Sequence, residues 1–437
     1  MIGKVNSLID ERREDLVALT ADLVRIPTIN PPGDAYVSCV EYLDRWLRHR
    51  GFHTRILRAE GTPGDSDQFP RTNIVARREG KRPGPTVHFN SHIDVVEPGD
   101  GWTFDPFGAE IRDGKIYGRG TCDMKGGLAA SLIAVEAYMI ANPDFEGAIE
   151  ISGTVDEESG GYGGVAWLAS QGLFSKPRVD HVIIPEPLNK DRVCLGHRGV
   201  WWAEIETFGK QAHGSMPFLG DSAVRHMGSV LQRFEDQLFP ALAQKRTAMP
   251  VVPEGARQST LNINSIHGGE GEAGTDGKPD DYSGLPSPNV PRSCRITIDR
   301  RFLIEEDLAT VKGEVVELLE GLKQDRANFD YALRDIMEVL PTMTDESAPV
   351  VTAVSDGIRE VLKCEPQYVI SPGTYDQKHI ARIGHLHDCI AYGPGILDLA
   401  HVANEFIVID DMVQSAKVMA HALHALLHPG TLGTSIN

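Results

Sequence analysis

Six cysteines in 437 residues stand far apart, at Cys39, Cys122, Cys194, Cys294, Cys364 and Cys389, with no CxxC pair among them. That spacing argues against a disulfide framework and a sulfur-bound metal cage, and it suits free thiols in a reducing cytoplasm. Cys122 adjoins Asp123 and could reach a metal held there, but nothing near it has sulfur-ligand spacing. Basic charge is also short: 43 Lys and Arg against 62 Asp and Glu leave a net charge of −19. A nucleic-acid surface needs clustered cations to release counterions, so nucleic acid is not the expected partner. Long apolar runs are missing too. No stretch reaches the roughly 18 apolar residues of a membrane span, and the opening "MIGKVNSLIDERREDLVALTADLVRI" has no uninterrupted apolar core. We therefore expect neither a membrane partner nor export. "HGSMPFLGDS" sets a Ser after a His, but the GxSxG elbow of serine hydrolases is absent. "GGYGG", residues 160–164, lacks both the GxGxxG spacing and the P-loop Lys, so it reads as a place where backbone approaches a site.

With 41% hydrophobic residues, the chain can bury a large core in two or three domains, and small molecules are its expected partners. Runs that read as strands, "TNIVARRE", "PTVHFNSHIDV", "GAIEISGTV", "DHVIIPE" and "DCIAYGPG", alternate with helical patterns. Residues 128–140 place Leu128, Leu132, Val135 and Met139 on one stripe, and Asp410 to Leu427 does the same with Met412, Ala416, Met419 and Leu423. This is an α/β pattern. From about residue 199 the order becomes strand, helix (221–238), strand, strand, helix (304–320), strand, the ferredoxin-like split unit. The first pattern then resumes. We expect a discontinuous catalytic domain, 1–198 and 340–437, interrupted by an inserted α+β domain, 199–339. Residues 268–288, rich in Gly, Pro and Asp, read as a long loop of that insert. Trp201 and Trp202 open a predicted strand and are expected to pack or to touch a second subunit.

Chemistry-bearing residues gather where those strands end. His92 and Asp94, two apart at a strand end, project from one face, so the Asp can fix the tautomer of a ligating imidazole; a plain His–Asp hydrogen bond reads equally from the pattern. In "GTCDMKGG", Asp123 stands just before a helix start, as a ligand or as a helix cap. "GTVDEESGG" ends a strand in Asp156, Glu157 and Glu158, like charges that are costly together unless cations neutralise them. Glu186 ends "VIIPE", and "DLAHVANEF" supplies His401. Singly each is ambiguous. Together they occupy the edge of an open α/β sheet where ligands collect, and their donors suit a pair of zinc, manganese or cobalt ions. His421, His424 and His428 also have a ligand-like spacing on the last helix, but no carboxylate completes the set, and a solvated helix face is the expected role.

In these five motifs, taken in order over nearly the whole chain, the sequence resembles the dimetal metallopeptidase family that includes carboxypeptidase G, acetylornithine deacetylase, succinyl-diaminopimelate desuccinylase and the aminoacylases. The resemblance implies a zinc-peptidase-like three-layer catalytic domain with a mixed sheet, plus a ferredoxin-like dimerisation lid. It implies that His92 and Glu186 hold one ion, that Glu158 and His401 hold the other, and that Asp123 bridges them. Zinc is the first choice of metal, with cobalt or manganese as alternatives. Glu157 matches the general base and Asp94 the acid that orients His92. In the insert, "GKQAHGSMP" resembles the segment whose histidine, here His213, reaches a partner subunit's site, and Arg301 in "DRR" matches the residue that binds substrate carboxylate. Asn289 departs from the family pattern, since "NVP" stands where N-x-x-P is usual. "SPGTYDQKH" resembles the Gly-Thr-Asp segment of the substrate pocket, with Gly373 and Thr374 as contacts, and its unusual continuation points to substrate choice. A metal-bridging hydroxide would then attack the amide of an N-acyl amino acid or small peptide, with Glu157 as base, in a cytoplasmic homodimer. Alternatives are a dimetal carboxypeptidase or dipeptidase, a hydrolase of an unusual amide or aromatic amine, and, in another class, a non-catalytic ligand-binding or assembly protein of the same fold.

Overall fold

The computed structural model describes residues 1–251, 253–269 and 288–428; most of the long loop expected over 268–288 lies outside these. The chain divides into two compact units. The first comprises Met1–Gly196, Met343–Val369 and the chain from Tyr375 onward, and the second His197–Thr342 with Ile370–Thr374.

In the first unit the apolar runs pair into a mixed sheet. Its centre is parallel: Glu146–Thr154 lies beside Arg82–His92, followed by His181–Ile184 and Cys389–Ala391. Thr72–Glu79 and His53–Arg58 extend one edge antiparallel. Parallel strands buried on both faces need continuous apolar sequence, and Val87, Phe89, Ile149, Ile151, Val182 and Ile183 provide it. Helix Gly126–Ala141 is buried all round, Leu128 to Tyr138 included, rather than along one stripe. The cause is its neighbours: Ile409–Leu427, the N-terminal helices Ile2–Glu11 and Arg13–Val24, and the strand Arg82–His92 all pack against it. Among the described residues, Thr121–Ala141 is apolar and long enough to cross a membrane, but 78% of its apolar 18-residue window is buried inside the molecule. It is a core helix. A three-stranded sheet, Phe406–Val408, Lys115–Tyr117 and Glu110–Arg112, escaped the sequence reading because its strands are three residues long.

The second unit is the split β-α-β-β-α-β arrangement. Its antiparallel sheet runs Thr260–Gly268, Ser293–Phe302, Gly199–Phe208, Tyr331–Val339. Alternate residues Trp201, Ala203 and Ile205 point to one core with Met227, Val230, Val311 and Val315 from the two helices. Asp307 caps the second helix, accepting from the Thr310 amide at 3.0 Å, so that helix starts at Leu308 and not at 304. The expected helix 221–238 is α-helical over Ala223–Arg233 and then widens through Phe234–Leu238.

Candidate metal centre

His92 is the last residue of its strand, 1% exposed, and its orientation is fixed from one side: Nδ1–H donates to the backbone carbonyl of Asp94 at 2.9 Å. The Asp94 carboxylate is 3.5 Å away, so the carbonyl rather than the carboxylate expected from the sequence is the nearer acceptor. That carboxylate instead accepts from the amides of Glu157 (3.2 Å) and Glu158 (3.1 Å) and from Asn30 Nδ2 (2.9 Å). Asp94 therefore ties the His92 strand to the acidic turn. With Nδ1 protonated, Nε2 presents its lone pair to Asp123 Oδ1 at 3.0 Å and Glu186 Oε2 at 3.9 Å. A lone pair cannot face two carboxylates unless a cation or a proton lies between them.

Asp123 does not cap a helix; the first residues of Gly126–Ala141 have no side-chain cap. Its two oxygens diverge, Oδ1 toward His92 and Oδ2 toward His401 Nε2 at 3.5 Å. Glu405, buried and paired with Arg119, holds Asp123 from behind by accepting from the amides of Cys122 (2.8 Å) and Asp123 (3.1 Å). Glu158 Oε2 lies 3.0 Å from His401 Nε2. Two ligand groups result, His92–Asp123–Glu186 and Asp123–Glu158–His401, each with its donor atoms within 4.8 Å of one another and with Asp123 common to both.

Electrostatics mark the same atoms. Burial and the nearby Asp123 push Glu186 well above the usual carboxylate range, and burial raises Glu158 to about 7. Asp123 and Glu158 lift His401 to about 10, while His401 and His92, outweighing burial, hold Asp123 low. Hard oxygen donors and imidazoles that hold protons in this way fit two divalent cations, which would take the place of those protons. Cys122 takes no part: its Sγ bonds backbone atoms of Ile396 at 3.0 and 3.1 Å.

Three consecutive acids share the turn, and each has its own counter-charge. Asp156 pairs with Arg71 at 3.0 Å, both buried, and accepts from Tyr36; burial and Asp94 still hold it at about 6. Glu157 accepts from Lys378 at 3.0 Å, and Glu158 belongs to the metal group. Gly164 lets this turn pack closely, since a Cβ there would sit 2.0 Å from the Val155 carbonyl. Asn30, Arg71, Arg119, Lys378 and Glu405 were missed in the sequence because they lie far along the chain from the residues they hold.

The remaining candidates lie in the second unit. His213 is exposed, forms an isolated bridge with Asn289, and its Nδ1 is 2.8 Å from Ser215 Oγ. Arg301 pairs with Asp299 through two contacts, 2.7 and 3.0 Å. Gly373 and Thr374 fall in the short segment Ile370–Thr374. Trp201 is buried in that unit's core, with Nε1 donating to Asp335 at 2.6 Å. In the first unit, His421, His424 and His428 are half-buried rather than solvated, because the last helix packs on Tyr138; His424 stands 6.1 Å from that ring.

A mixed α/β sheet carrying two carboxylate–imidazole groups at its strand ends defines a metal-dependent hydrolase of the peptidase type. Residues 88–425 match the family described as Peptidase family M20/M25/M40, and the chain belongs to that family. It is 29% identical over 403 residues to a succinyl-diaminopimelate desuccinylase of Dechloromonas aromatica, covering 91% of this chain and 94% of that protein. A second such enzyme, from Polynucleobacter necessarius, is 26% identical, with 94% and 98% covered. Among solved structures, a di-peptidase from Saccharomyces cerevisiae superposes with a TM-score of 0.74 at 18% identity over 98% of both chains, and human carnosine dipeptidase 1 with 0.73 at 19% over 98% of both. The chain is thus a metal-dependent amidohydrolase that cleaves amide bonds of N-acyl amino acids or peptides.

Proposed function

We propose that the protein is a two-metal deacylase of N-acyl amino acids, with His92 and Glu186 holding one ion, Glu158 and His401 the other, and Asp123 shared. The observation that carries this reading is the divergence of the Asp123 carboxylate, one oxygen toward each histidine. Zinc is the favoured metal; cobalt and manganese suit the same donors. Bound there, two divalent ions would supply a Lewis acid for the amide carbonyl and a nucleophile available near neutral pH. The chain's own residues do the rest. Glu157 takes the proton of the attacking water and delivers it to the leaving nitrogen. Asp94 keeps the Glu157 and Glu158 amides in place and fixes the His92 tautomer through its carbonyl.

In the second unit, Arg301 is the proposed anchor for a substrate carboxylate, with Asn289, Gly373 and Thr374 lining the same substrate and His213 completing the site of a second subunit. Among the described residues Thr260–Gly268 is an edge strand of its sheet, and an exposed edge is a template for another copy, which supports a homodimer. The absence of a disulfide among the described cysteines supports work in the cytoplasm. Amine release from N-acetyl, N-succinyl, N-formyl and N-carbamoyl amino acids and from dipeptides, with and without a chelator, tests the function. Selective, chelator-sensitive turnover of an N-acyl amino acid is expected; turnover of dipeptides alone would make the protein a dipeptidase. Sedimentation showing a fully active monomer would remove the role of His213 in trans.

A further inference from the structure

The turn that bears Glu157 is gripped by a segment that the proposed chemistry leaves unused, the short helix Gln377–Arg382 of the first unit and the residue before it. Gln377 faces inward, and its Nε2 donates to the carbonyls of Leu195 (3.1 Å) and Cys389 (2.7 Å) and to Thr344 Oγ1 (3.0 Å). The next residue serves the turn: Lys378 Nζ donates to Glu157 Oε1 at 3.0 Å, with the two side chains 5% and 11% exposed. His379 holds the backbone of the same turn, its Nε2 2.7 Å from the Gly160 carbonyl. Burial and the Lys378 charge drive that imidazole down to about 3, so it is a neutral N–H donor. Asp376 completes the grip, accepting from Asn90 Nδ2 at 2.9 Å and lying where a Cβ on Gly161 would come within 3.1 Å of its Oδ1.

These contacts divide the labour. Gln377 and His379 anchor the segment by their side chains, to the carbonyls of Leu195 and Cys389 and to that of Gly160. Lys378 instead places its ammonium on the reacting carboxylate. Burial opposes its charge, but Glu157 and Asp376 outweigh burial and raise its pKa, so it stays charged. A buried ion pair adds little net stability relative to apolar packing; its use is to fix a geometry. A base needs that fixity, because proton transfer requires the acceptor oxygen within hydrogen-bond reach of the proton. We propose that Lys378 is a positioning residue for hydrolysis: by engaging Oε1 of Glu157 it aims Oε2 at the proton in transit. The inference rests on Glu157 being the base. The "YDQKH" sequence then serves the catalytic turn.

The test uses the metal-loaded full chain and the panel substrate it turns over fastest. Lys378→Met is expected to lower kcat on the order of 10²-fold, the effect of a small misplacement of a reacting group, with KM unchanged. Bound metal per chain and the absorption spectrum of the cobalt-loaded protein stay as in wild type. Lys378→Arg, which can donate to the same oxygen, recovers part of the loss. In a Glu157→Ala background Lys378→Met costs nothing further, because there is no carboxylate left to aim. Should Lys378→Met fold poorly, Lys378→Leu, which also lacks a donor, makes the same comparison. Wild-type kcat in the Lys378 variants, a defect confined to KM, lost metal, or a loss that adds to that of Glu157→Ala would each overturn the positioning role while leaving the base in place. Near wild-type turnover in Glu157→Ala alone would remove the base reading, and Lys378's role with it.

Discussion

At the scale of single residues, the turn 156–158 decides how much of the site works. In the row of three carboxylates, each faces its own basic side chain: Asp156 Arg71, Glu157 Lys378 and Glu158 His401. The three should therefore fail differently. Glu157→Ala leaves the ligand set whole, so metal analysis should find wild-type content while kcat drops on the order of 10²- to 10⁴-fold, the range for general acid–base help. Arg71→Met strands Asp156, whose side chain is 3% exposed, and breaking a buried pair on one side costs about 3–5 kcal/mol. Urea unfolding at neutral pH should show that loss; a change below about 1 kcal/mol would mean that Tyr36 satisfies the Asp156 carboxylate without Arg71.

The strands Arg82–His92 and Glu146–Thr154 place the site and carry a buried polar row of their own. His88 lies 3.1 Å from Glu150 and 2.7 Å from Ser152, and Ser152 donates to Asn90 at 2.7 Å. Burial alone would raise Glu150, but His88, Arg77 and Arg178 overcome it, so its folded pKa lies below the ordinary 4.5. A depressed carboxylate adds stability above its unfolded pKa and loses it as pH falls through the folded one. Glu150→Gln should therefore cost stability at pH 7, and the gap from wild type should close below about pH 4.5. Unfolding curves at several pH values measure it, and a gap that does not change with pH would refute the pairing.

The same elements show what could be read from sequence. The five motifs were legible because a parallel sheet brings its strand ends to one edge, so local pattern and site coincide at His92, Glu157, Glu158 and Glu186. The supports were not. Lys378 meets Glu157 across 221 positions and Glu405 meets Cys122 across 283, and no periodicity records such a contact. Helix Gly126–Ala141 read as one stripe because its small residues, Ala129, Ala130 and Ala134, look neutral in a pattern yet are fully buried. His424 read as solvated for the opposite reason, since the Tyr138 packed near it comes from a distant helix.

Across the whole molecule, both candidate metal groups belong to the first unit, whereas the second closes its own core around Trp201, Ile298 and Val315. Ligands stabilise only the cooperative unit that binds them, by about 2.7 kcal/mol when free metal is a hundred times its dissociation constant. Each unit has its own core and can unfold as its own transition. Calorimetry of the full chain before and after chelation should then show one transition moving down in temperature and the other keeping its place. His401→Ala, which removes one proposed ligand of a group exposed on that side, should shrink the metal-dependent shift without moving the second transition. If both transitions fell together, the units would unfold as one cooperative body, and the metal would be holding the insert as well as the site.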